Sequence, residues 1–302
     1  MQKLEQLQRK VKNAEDLQSI VRTMKLMASV GIHQFEDAVD SLGDYYNTLE
    51  RGLQVVLSKE FSEARPFLSS GNEGSAGIIV IGSSQSLCGP FDESILTYTL
   101  DKIREDEKKG AQFFVLGERL TGYFRQEEEV LISKQFILPG SAGGINGLVL
   151  DLLTGIEEWQ ATQDIRSIRV LHNKLTGKEG YTPRSQHLLP LNKQWLEQLI
   201  DQPWPSNNLP QYSADGHALF LSLLRQYLFV SLYRAVAESL AAEYSSRLFA
   251  MQQAEKKIDE RLEKLNRAYT HERQSSITSE LLDIMAGFEA AQSMDDCNSE
   301  TG

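Results

Sequence analysis

The segment GSSQSLCGPF, Gly82–Phe91, comes closer to a catalytic motif than the rest of the chain. A serine nucleophile on a sharp strand-to-helix turn needs the pattern G-x-S-x-G, but Gly82–Ser86 reads G-S-S-Q-S. A dinucleotide fingerprint needs G-x-G-x-x-G and a P-loop needs G-x-x-x-x-G-K-[ST], and this loop contains neither. We therefore expect Ser84 to be an ordinary loop residue, and keep a hydrolase acting through this loop only as an alternative.

Histidine and cysteine, the usual ligands of transition metals, are few and scattered. The histidines show neither an H-E-x-x-H nor a Cys/His ligand spacing; they are His33, His172, His187, His217 and His271. We therefore predict no metal site and no bound cofactor. Cys88 precedes an expected helix start, where a thiol pKa can be lowered, but a small, half-buried structural cysteine is the favoured interpretation.

The composition excludes several functional classes. The chain has 302 residues, 41% hydrophobic and 24% charged, and its net charge of −11 disfavours nucleic-acid binding over the general surface. Its two cysteines, Cys88 and Cys297, lie far apart, which fits a reducing compartment better than a disulfide-stabilised secreted protein. There is no signal-peptide pattern, and Arg225 and Arg234 interrupt the most apolar stretch. Any attachment to a membrane is thus expected to run through a partner.

The distribution of proline divides the chain into a central part and two arms. All eight prolines lie between Pro66 and Pro210, and proline blocks the interior of a helix. We therefore expect four regions: an N-terminal helical arm over 1–65, a central α/β domain over 66–210, a C-terminal helical arm over 211–290 and a disordered tail over 291–302.

The first arm repeats an apolar residue every seven positions. The repeat is unbroken through Leu7, Ala14, Val21, Ala28, Phe35, Leu42, Leu49 and Val56. Apolar companions lie three or four residues away, and such a strict repeat predicts a left-handed coiled coil. Near Gly31 the companions shift from three to four residues after the repeated position, and we expect a bend in the helix there.

The last arm carries a leaner version of this pattern. Apolar residues recur at steps of three and four between Leu248 and Tyr269, and Glu255 interrupts them. Charged residues occupy the other faces, as in a solvated helix with one buried stripe. Because the central part can return the chain beside its start, the simplest arrangement is an antiparallel coiled coil of the two arms.

The central part alternates short apolar segments with amphipathic ones. AGIIVIG, Ala76–Gly82, has the β-branched residues of a buried strand, and Pro90 and Gly110 bracket the helix that follows. Further along, SIRVLHNKL and RSQHLLPL flank the Gly-containing TGKEGYTP and predict a hairpin. Strands that alternate with helices predict a small, largely parallel, Rossmann-like α/β sheet with right-handed crossovers.

The order of helix, α/β centre and longer helix resembles the gamma subunit of F-type ATP synthases. IVRTMKLMAS, Ile20–Ser29, resembles the family segment I-T-K-A-M-K-M-V-A-A-S, and SLCGPFDESI, Ser86–Ile95, resembles G-L-C-G-x-F-N. The segments ESLAAEYSSRLFAMQQA and ERQSSITSELLDIMAG are similar to two C-terminal motifs, of which R-Q-x-x-I-T-x-E-L is specific. The resemblance covers the chain from residue 1 to about residue 290.

This resemblance implies a rotor subunit with no catalytic site of its own. In the family the coiled coil turns inside a hexamer of alternating alpha and beta subunits, with one gamma subunit per hexamer. The α/β part lies beside the epsilon subunit on the membrane c-ring, so that turning couples ion movement to ATP synthesis or hydrolysis. The expected location is the cytoplasmic face of a bacterial plasma membrane, or an equivalent energy-coupling membrane, with contact to the membrane only through partners.

The matched motifs also imply where the hexamer is contacted. Arg273 and Gln274 correspond to the family pair that binds a loop of a catalytic subunit. A charge-assisted arginine bond of ~1.5–3 kcal/mol would suit a contact that breaks in every turn. Met24 and Lys25 correspond to the region that faces the lower part of a beta subunit.

Two further groups of residues are assigned by the same resemblance. Glu243 and Arg247 align with charges near the level of that beta contact, and the foot that faces epsilon and the c-ring is expected to include Cys88, Gly89 and Phe91. The family string D-R-G-L-C-G-G-F-N reads SQSLCGPFD here and lacks the acid–arginine pair, which indicates a divergent branch. The alternative function is a coiled-coil adaptor whose α/β domain binds a small ligand; copurification with alpha, beta and epsilon subunits would discriminate between the two.

Overall fold

The structure is a computed structural model that describes residues 2–60, 75–105, 111–127, 130–163, 165–177, 180–204, 206, 208, 210–213 and 215–299. The side chains of 2, 60, 104, 105 and 287–299 are not part of this description.

Contacts within the chain divide it into two compact units. We call Met1–Lys25 together with Met251–Gly302 the helix-pair unit, and Leu26–Ala250 the sheet unit. Large parts of both long helices therefore belong with the sheet, whereas we expected each arm to be a region of its own. The expected limit between residues 65 and 66 lies outside the described residues.

The described residues form seven α-helices and five strands, and the helix over Lys193–Asp201 was not predicted from the sequence. The helices of the described residues are α1 (Gln2–Asp40), α2 (Gly43–Glu60), α3 (Phe91–Glu105), α4 (Glu118–Phe124), α5 (Ile145–Gln163), α6 (Lys193–Asp201) and α7 (Gly216–Ser299). The strands are β1 (Ser75–Ile81), β2 (Gln112–Leu116), β3 (Leu131–Phe136), β4 (Ile165–Thr176) and β5 (Gly180–Leu189).

The strands form one sheet in the order β3-β2-β1-β4-β5. Strand β1 pairs in parallel with both β2 and β4, and β2 pairs in parallel with β3. Strands β4 and β5 are antiparallel, with Thr176 opposite Gly180 at the turn. Parallel neighbours need long crossovers, which α3, α4 and α5 supply. The predicted largely parallel sheet with a terminal hairpin is confirmed.

Strand alternation gives the sheet two buried faces. Ile79 and Ile81 of β1 belong to the core that includes α5 and α7, whereas Ile78 and Val80 belong to the core that includes α3 and α4. All four side chains are at most 7% exposed. Because a fully buried Ile or Val contributes about 1.5–3 kcal/mol, these runs fix β1 at the centre of the sheet unit.

The first part of α7 is apolar because it completes this core. By length and composition alone, α7 is apolar enough to cross a membrane. However, 44% of its most apolar stretch is buried within the chain. Phe220, Leu224, Leu228 and Leu232 of the helix lie in the core next to the sheet, so packing accounts for this composition.

The heptad positions of the first arm are all buried or half-buried, as the repeat predicts. Helix α1 continues through Gly31 without a break, and the expected bend there stays a prediction. A Cβ on Gly31 would lie 2.3 Å from Cδ1 of Tyr244, so the glycine admits the tyrosine ring. The helix is interrupted at Ser41 and Leu42, where the Ser41 hydroxyl donates to the Ala38 carbonyl oxygen and competes with the helical pattern.

In the helix-pair unit, α1 and α7 run antiparallel. Lys3 pairs with Glu272 at 2.7 Å and Arg22 pairs with Glu255 at 3.0 Å, so residue numbers rise along one helix as they fall along the other. The predicted antiparallel pairing of the chain ends is therefore confirmed in this unit.

The backbone of α7 remains helical beyond the expected limit at residue 290. It ends at Ser299, so much of the segment 291–302, which we expected to be a disordered tail, is helical. Between Gly287 and Gly302 the sequence has neither proline nor glycine, and therefore no strong helix breaker. Residues 300–302 lie outside the described residues.

Candidate functional site

The carboxyl end of β1 is the place where an open α/β sheet usually binds a ligand. The chain continues from β1 to β2 on one side, and β4 lies on the other side, so the strand order reverses at β1. Ligands of such sheets bind in the crevice outside the strand ends at this point. In this chain the crevice contains the loop between β1 and α3, which includes Ser84 and Cys88.

Asp92, in the first turn of α3, organises the start of this loop. The Ser83 backbone N–H donates to Asp92 Oδ1 at 2.7 Å and the Ser83 hydroxyl donates to Asp92 Oδ2 at 2.6 Å. Arg119 Nε lies 3.4 Å from the same Oδ2. Burial raises the pKa of Asp92 above its ordinary value, while the Ser83 bonds and Arg119 oppose that rise. Ser83 and Asp92 are at most 1% exposed, so they hold the loop and offer no access to a substrate.

Cys88 lies in the same cluster and is fully buried. Its Sγ lies 3.5 Å from Ser83 Oγ and 3.5 Å from Arg119 Nη1. Burial raises the pKa of the Cys88 thiol, which is opposite to the lowering that a helix start can produce. The thiol is therefore protonated at neutral pH and unreactive, in agreement with a structural cysteine.

Helix α7 covers this loop with polar side chains. Arg247 Nη2 donates to Glu243 Oε1 at 2.5 Å and to the Gln85 carbonyl oxygen at 3.4 Å, and Ser246 Oγ donates to the Cys88 carbonyl oxygen at 2.7 Å. Glu243 is 2% exposed and Arg247 is 4% exposed. Burial raises the pKa of Glu243, whereas the charge of Arg247 lowers it. The crevice is thus filled by the chain's own helix.

The structure brings together residues that the sequence placed in two different contacts. Glu243 and Arg247 were expected at a beta contact and Cys88, Gly89 and Phe91 at the foot, yet all five belong to the surroundings of one loop. Phe91 is fully buried, with its ring 5.1 Å from that of Tyr181. Gly89 is exposed and adopts a φ of +60°, a left-handed conformation that suits glycine. Their roles as partner contacts stay predictions.

The predicted contacts of the helix-pair unit have different surroundings. Met24 and Lys25 are half-buried, and Lys25 Nζ pairs with Glu255 Oε2 at 2.5 Å. Glu255, which interrupts the apolar pattern of α7, therefore binds basic residues of α1. Arg273 and Gln274 are exposed, and neither side chain has a hydrogen bond or ion pair to another described residue.

The helix-pair unit also exposes large apolar side chains, which sequence reasoning did not single out. They are 47–67% exposed, and they are Leu17, Ile20, Ile277, Leu281, Leu282, Ile284 and Met285. Leu17 was expected as an apolar companion of the heptad repeat, three residues after Ala14, and is exposed instead. The members on α7 lie beyond the pattern that we traced from Leu248 to Tyr269. Among the described residues, no group of three or more His, Cys, Asp or Glu could hold a metal ion.

Comparisons with known proteins point to the same family over nearly the whole chain. A family model described as ATP synthase matches residues 3–291. The ATP synthase gamma chain of Campylobacter jejuni is 26% identical over 96% of this chain and 99% of its own length, and that of Haemophilus influenzae is 25% identical over 93% and 97%.

The fold is also found in solved structures. A chain from the Euglena gracilis mitochondrial ATP synthase, solved by cryo-EM, superposes with a TM-score of 0.64 at 14% identity, covering 95% of this chain and 94% of its own. Because the family model matches almost every residue and the similar curated sequences are gamma chains, this chain belongs to the ATP synthase gamma family.

Proposed function

We propose that the chain is the central-stalk rotor subunit of an F-type ATP synthase. It transmits torque between a membrane c-ring and a catalytic hexamer of alpha and beta subunits, and so couples ion movement to ATP synthesis or hydrolysis. The observation that carries this proposal is the helix-pair unit, whose antiparallel helices share a packed seam and still expose large apolar side chains on their outer surface.

The exposed apolar residues of the helix-pair unit fit a position that partner subunits surround. At about 25 cal/mol for each Å² of apolar surface, covering them with partner subunits is favourable. Apolar contact is also non-directional, so a turning helix pair can exchange one covering surface for another at similar free energy. Leu281 and Leu282 are adjacent members of this exposed set, at 57% and 59% exposure.

The subunit itself has no catalytic site in this proposal. Ser83, Asp92 and Cys88 have chemically capable side chains, but the loop and helix α7 bury them. Arg247 and Glu243 occupy the crevice in which a nucleotide would lie in a doubly wound sheet. Nucleotide chemistry is accordingly assigned to the neighbouring alpha and beta subunits.

The proposed partners are those found with structurally similar chains in solved assemblies. Solved structures with this fold belong to mitochondrial ATP synthase assemblies that comprise F1 with a c-ring, a rotor, and a central stalk with a c-ring. We assign to this chain one alpha–beta hexamer, an epsilon subunit and a c-ring, at the cytoplasmic face of a bacterial membrane or its equivalent. The similar gamma chains do not favour the coiled-coil adaptor as an alternative.

Purification of the tagged full chain from membranes of its source tests this function. We expect one copy of the chain to copurify with three alpha and three beta subunits, together with epsilon and c subunits. The double substitution Leu281→Gln/Leu282→Gln should reduce the share of the chain recovered in this assembly, because it removes apolar contact surface without changing the seam.

The control is Ser279→Gln, which adds an amide at an exposed polar position of the same helix. It should leave recovery unchanged, and circular dichroism should show equal helix content in all variants. A chain that purifies without nucleotide-binding subunits would overturn the proposal.

A further inference from the structure

A polar cavity of about 270 Å³ lies between the β4–β5 hairpin and helix α7, entirely within the sheet unit. Strand alternation places His172 and Lys174 of β4 on one face, and Arg184 of β5 lies directly opposite His172. Arg234 and Glu238 are four residues apart on α7 and therefore lie on one side of the helix. All five residues line the cavity, and the rotor function described above does not use them.

The charges around the cavity are predominantly positive. Lys174, Arg184 and Arg234 face a single carboxylate, Glu238. Glu238 Oε1 accepts from Lys174 Nζ at 2.8 Å and from Arg234 Nε at 2.9 Å. These bonds use one donor of each basic side chain and hold both in place. The lining therefore carries a net charge of two positive units, with histidine neutral. The bonds to Glu238 also fix the positions of Lys174 and Arg234, which keep further N–H donors for a ligand.

Arg184 is the basic residue of this lining that lacks a partner. It is exposed, and it has no hydrogen bond or ion pair to another described residue. A guanidinium presents a planar fork of donors that matches the oxygens of a carboxylate or phosphate. The cavity could hold about nine water molecules at ~30 Å³ each, so a tetrahedral oxyanion fits together with some water.

A neighbouring cavity shows that the excess of positive charge is limited to the cavity that contains Arg184. The second cavity shares Lys174, Arg234 and Glu238, but its other charged residues are acidic: Glu36, Asp37 and Asp40 of α1. An anion would be repelled there and attracted to the side that contains Arg184. The two cavities share Lys174 and Arg234, but only the cavity that contains Arg184 has a positively charged lining that suits an anion.

We infer that the cavity lined by Arg184, Arg234 and Lys174 is a binding site for a phosphate-type oxyanion. The oxyanion is either inorganic phosphate or the terminal phosphate group of a nucleotide. Arg184 supplies the two-pronged contact, and the Glu238-oriented Arg234 and Lys174 add donors whose positions are fixed before the ligand arrives.

Titration calorimetry on the full chain, at constant ionic strength set with chloride, tests this site. Inorganic phosphate should bind in the millimolar range or tighter. Arg184→Gln should weaken binding by about tenfold or more, because it removes a charge-assisted contact. Gln186→Glu, which adds a carboxylate to the lining, should abolish it. In a parallel titration with ADP, tighter binding than phosphate that is lost in Arg184→Gln would identify the nucleotide as the source.

The matched control for Arg184→Gln is Arg225→Gln, which removes an exposed arginine from helix α7. Arg225 is 58% exposed, pairs with Glu157 and lies outside the cavity, so its loss should leave phosphate affinity unchanged. Two results would overturn the inference. One is the absence of binding by the unmodified chain to both phosphate and ADP. The other is an equal loss of affinity in Arg184→Gln and Arg225→Gln, which would indicate general charge attraction.

Discussion

The two units of this chain use charged side chains in different ways. In the sheet unit, Asp92, Glu243 and Arg247 are at most 4% exposed and bind residues of the same chain. In the helix-pair unit, Arg22 is 57% exposed although it pairs with Glu255, and bonds from Lys25 and Arg22 lower the pKa of Glu255. Buried charges become expensive when unpaired, whereas exposed pairs contribute little. Substitutions should therefore affect folding in the first unit and assembly or turnover in the second.

The largest loss of stability is expected from breaking the buried pair on α7. Arg247→Ala would leave the carboxylate of Glu243 buried without its partner and remove the bond to the Gln85 carbonyl oxygen. We expect the free energy of unfolding to fall by about 3–5 kcal/mol. Urea denaturation of the full chain at neutral pH, followed by far-UV circular dichroism, measures this change.

The double variant Glu243→Leu/Arg247→Met is the control for that experiment. Replacing both charges by apolar groups of similar size removes the uncompensated carboxylate, so stability should be much closer to that of the unmodified chain. A single variant and a double variant that lose equal stability would show that packing, rather than charge pairing, holds α7 against the loop.

A second test adds volume where Gly31 of α1 contacts Tyr244 of α7 in the sheet unit. Gly31→Ala would place a methyl group 2.3 Å from Cδ1 of Tyr244. Because a ring held in a packed seam moves with difficulty, we expect a loss of about 1–3 kcal/mol in the free energy of unfolding. Gly122→Ala is the matched control: it is helical, and its new methyl group would meet nothing within 4 Å. The control should gain about 0.5–1 kcal/mol, and a neutral Gly31→Ala would contradict tight packing there.

A smaller effect, dependent on pH, is expected at Glu238. Burial alone would raise the pKa of Glu238, but hydrogen bonds from His172, Lys174 and Arg234 lower it to about 2 from an ordinary 4.5. A lowered carboxyl pKa stabilises the fold above pH 4.5, and this contribution is lost as the pH falls toward 2. Because Lys174 and Arg234 are partly exposed, screening reduces the contribution to about 1–2 kcal/mol.

The variant Glu238→Gln isolates that contribution. At pH 7 it should be about 1–2 kcal/mol less stable than the unmodified chain, and the difference should shrink as the pH falls below 4.5. Urea denaturation of both proteins over this pH range gives the comparison. A difference that stays constant down to pH 2 would mean that the glutamate acts through its shape and not through its charge.

Local patterns in the sequence were sufficient for most elements of this fold, although helix α6 and the break between α1 and α2 were not predicted. The apolar run of β1, the hairpin around Gly180 and the heptad positions each depend on neighbours within a few residues. The seam of the first arm is therefore predictable, with Leu17, at 54% exposure, as an exception among the companions. The break between α1 and α2 at Ser41 and Leu42 was not predicted, because the heptad repeat runs through it without a gap. Gly31, where a bend was expected, is instead a site of close approach to Tyr244.

The polar clusters could not be found in this way, because their members are distant in sequence. Gln85 and Arg247 are 162 positions apart, and Lys25 and Glu255 are 230 apart. Whether Arg247 faces a partner or this chain's own loop depends on how α7 crosses the sheet, which no local spacing encodes. The same holds for Glu255, which looks like a defect in the seam until its basic partners are known.

The smallest effect on stability, and a clear effect on turnover, is expected at Arg273. Its side chain is exposed and has no partner among the described residues, so Arg273→Ala should leave the free energy of unfolding within about 0.5 kcal/mol of the original. If Arg273 binds a catalytic subunit, the assembled complex loses a contact of about 1.5–3 kcal/mol, and ATP hydrolysis and synthesis should slow while nucleotide binding stays intact. Arg267→Ala is the matched control, because Arg267 is 77% exposed on the same helix and already pairs with Glu263. Equal rates for Arg273→Ala and the unmodified complex would remove Arg273 from the contact and leave the apolar surface to bind the hexamer alone.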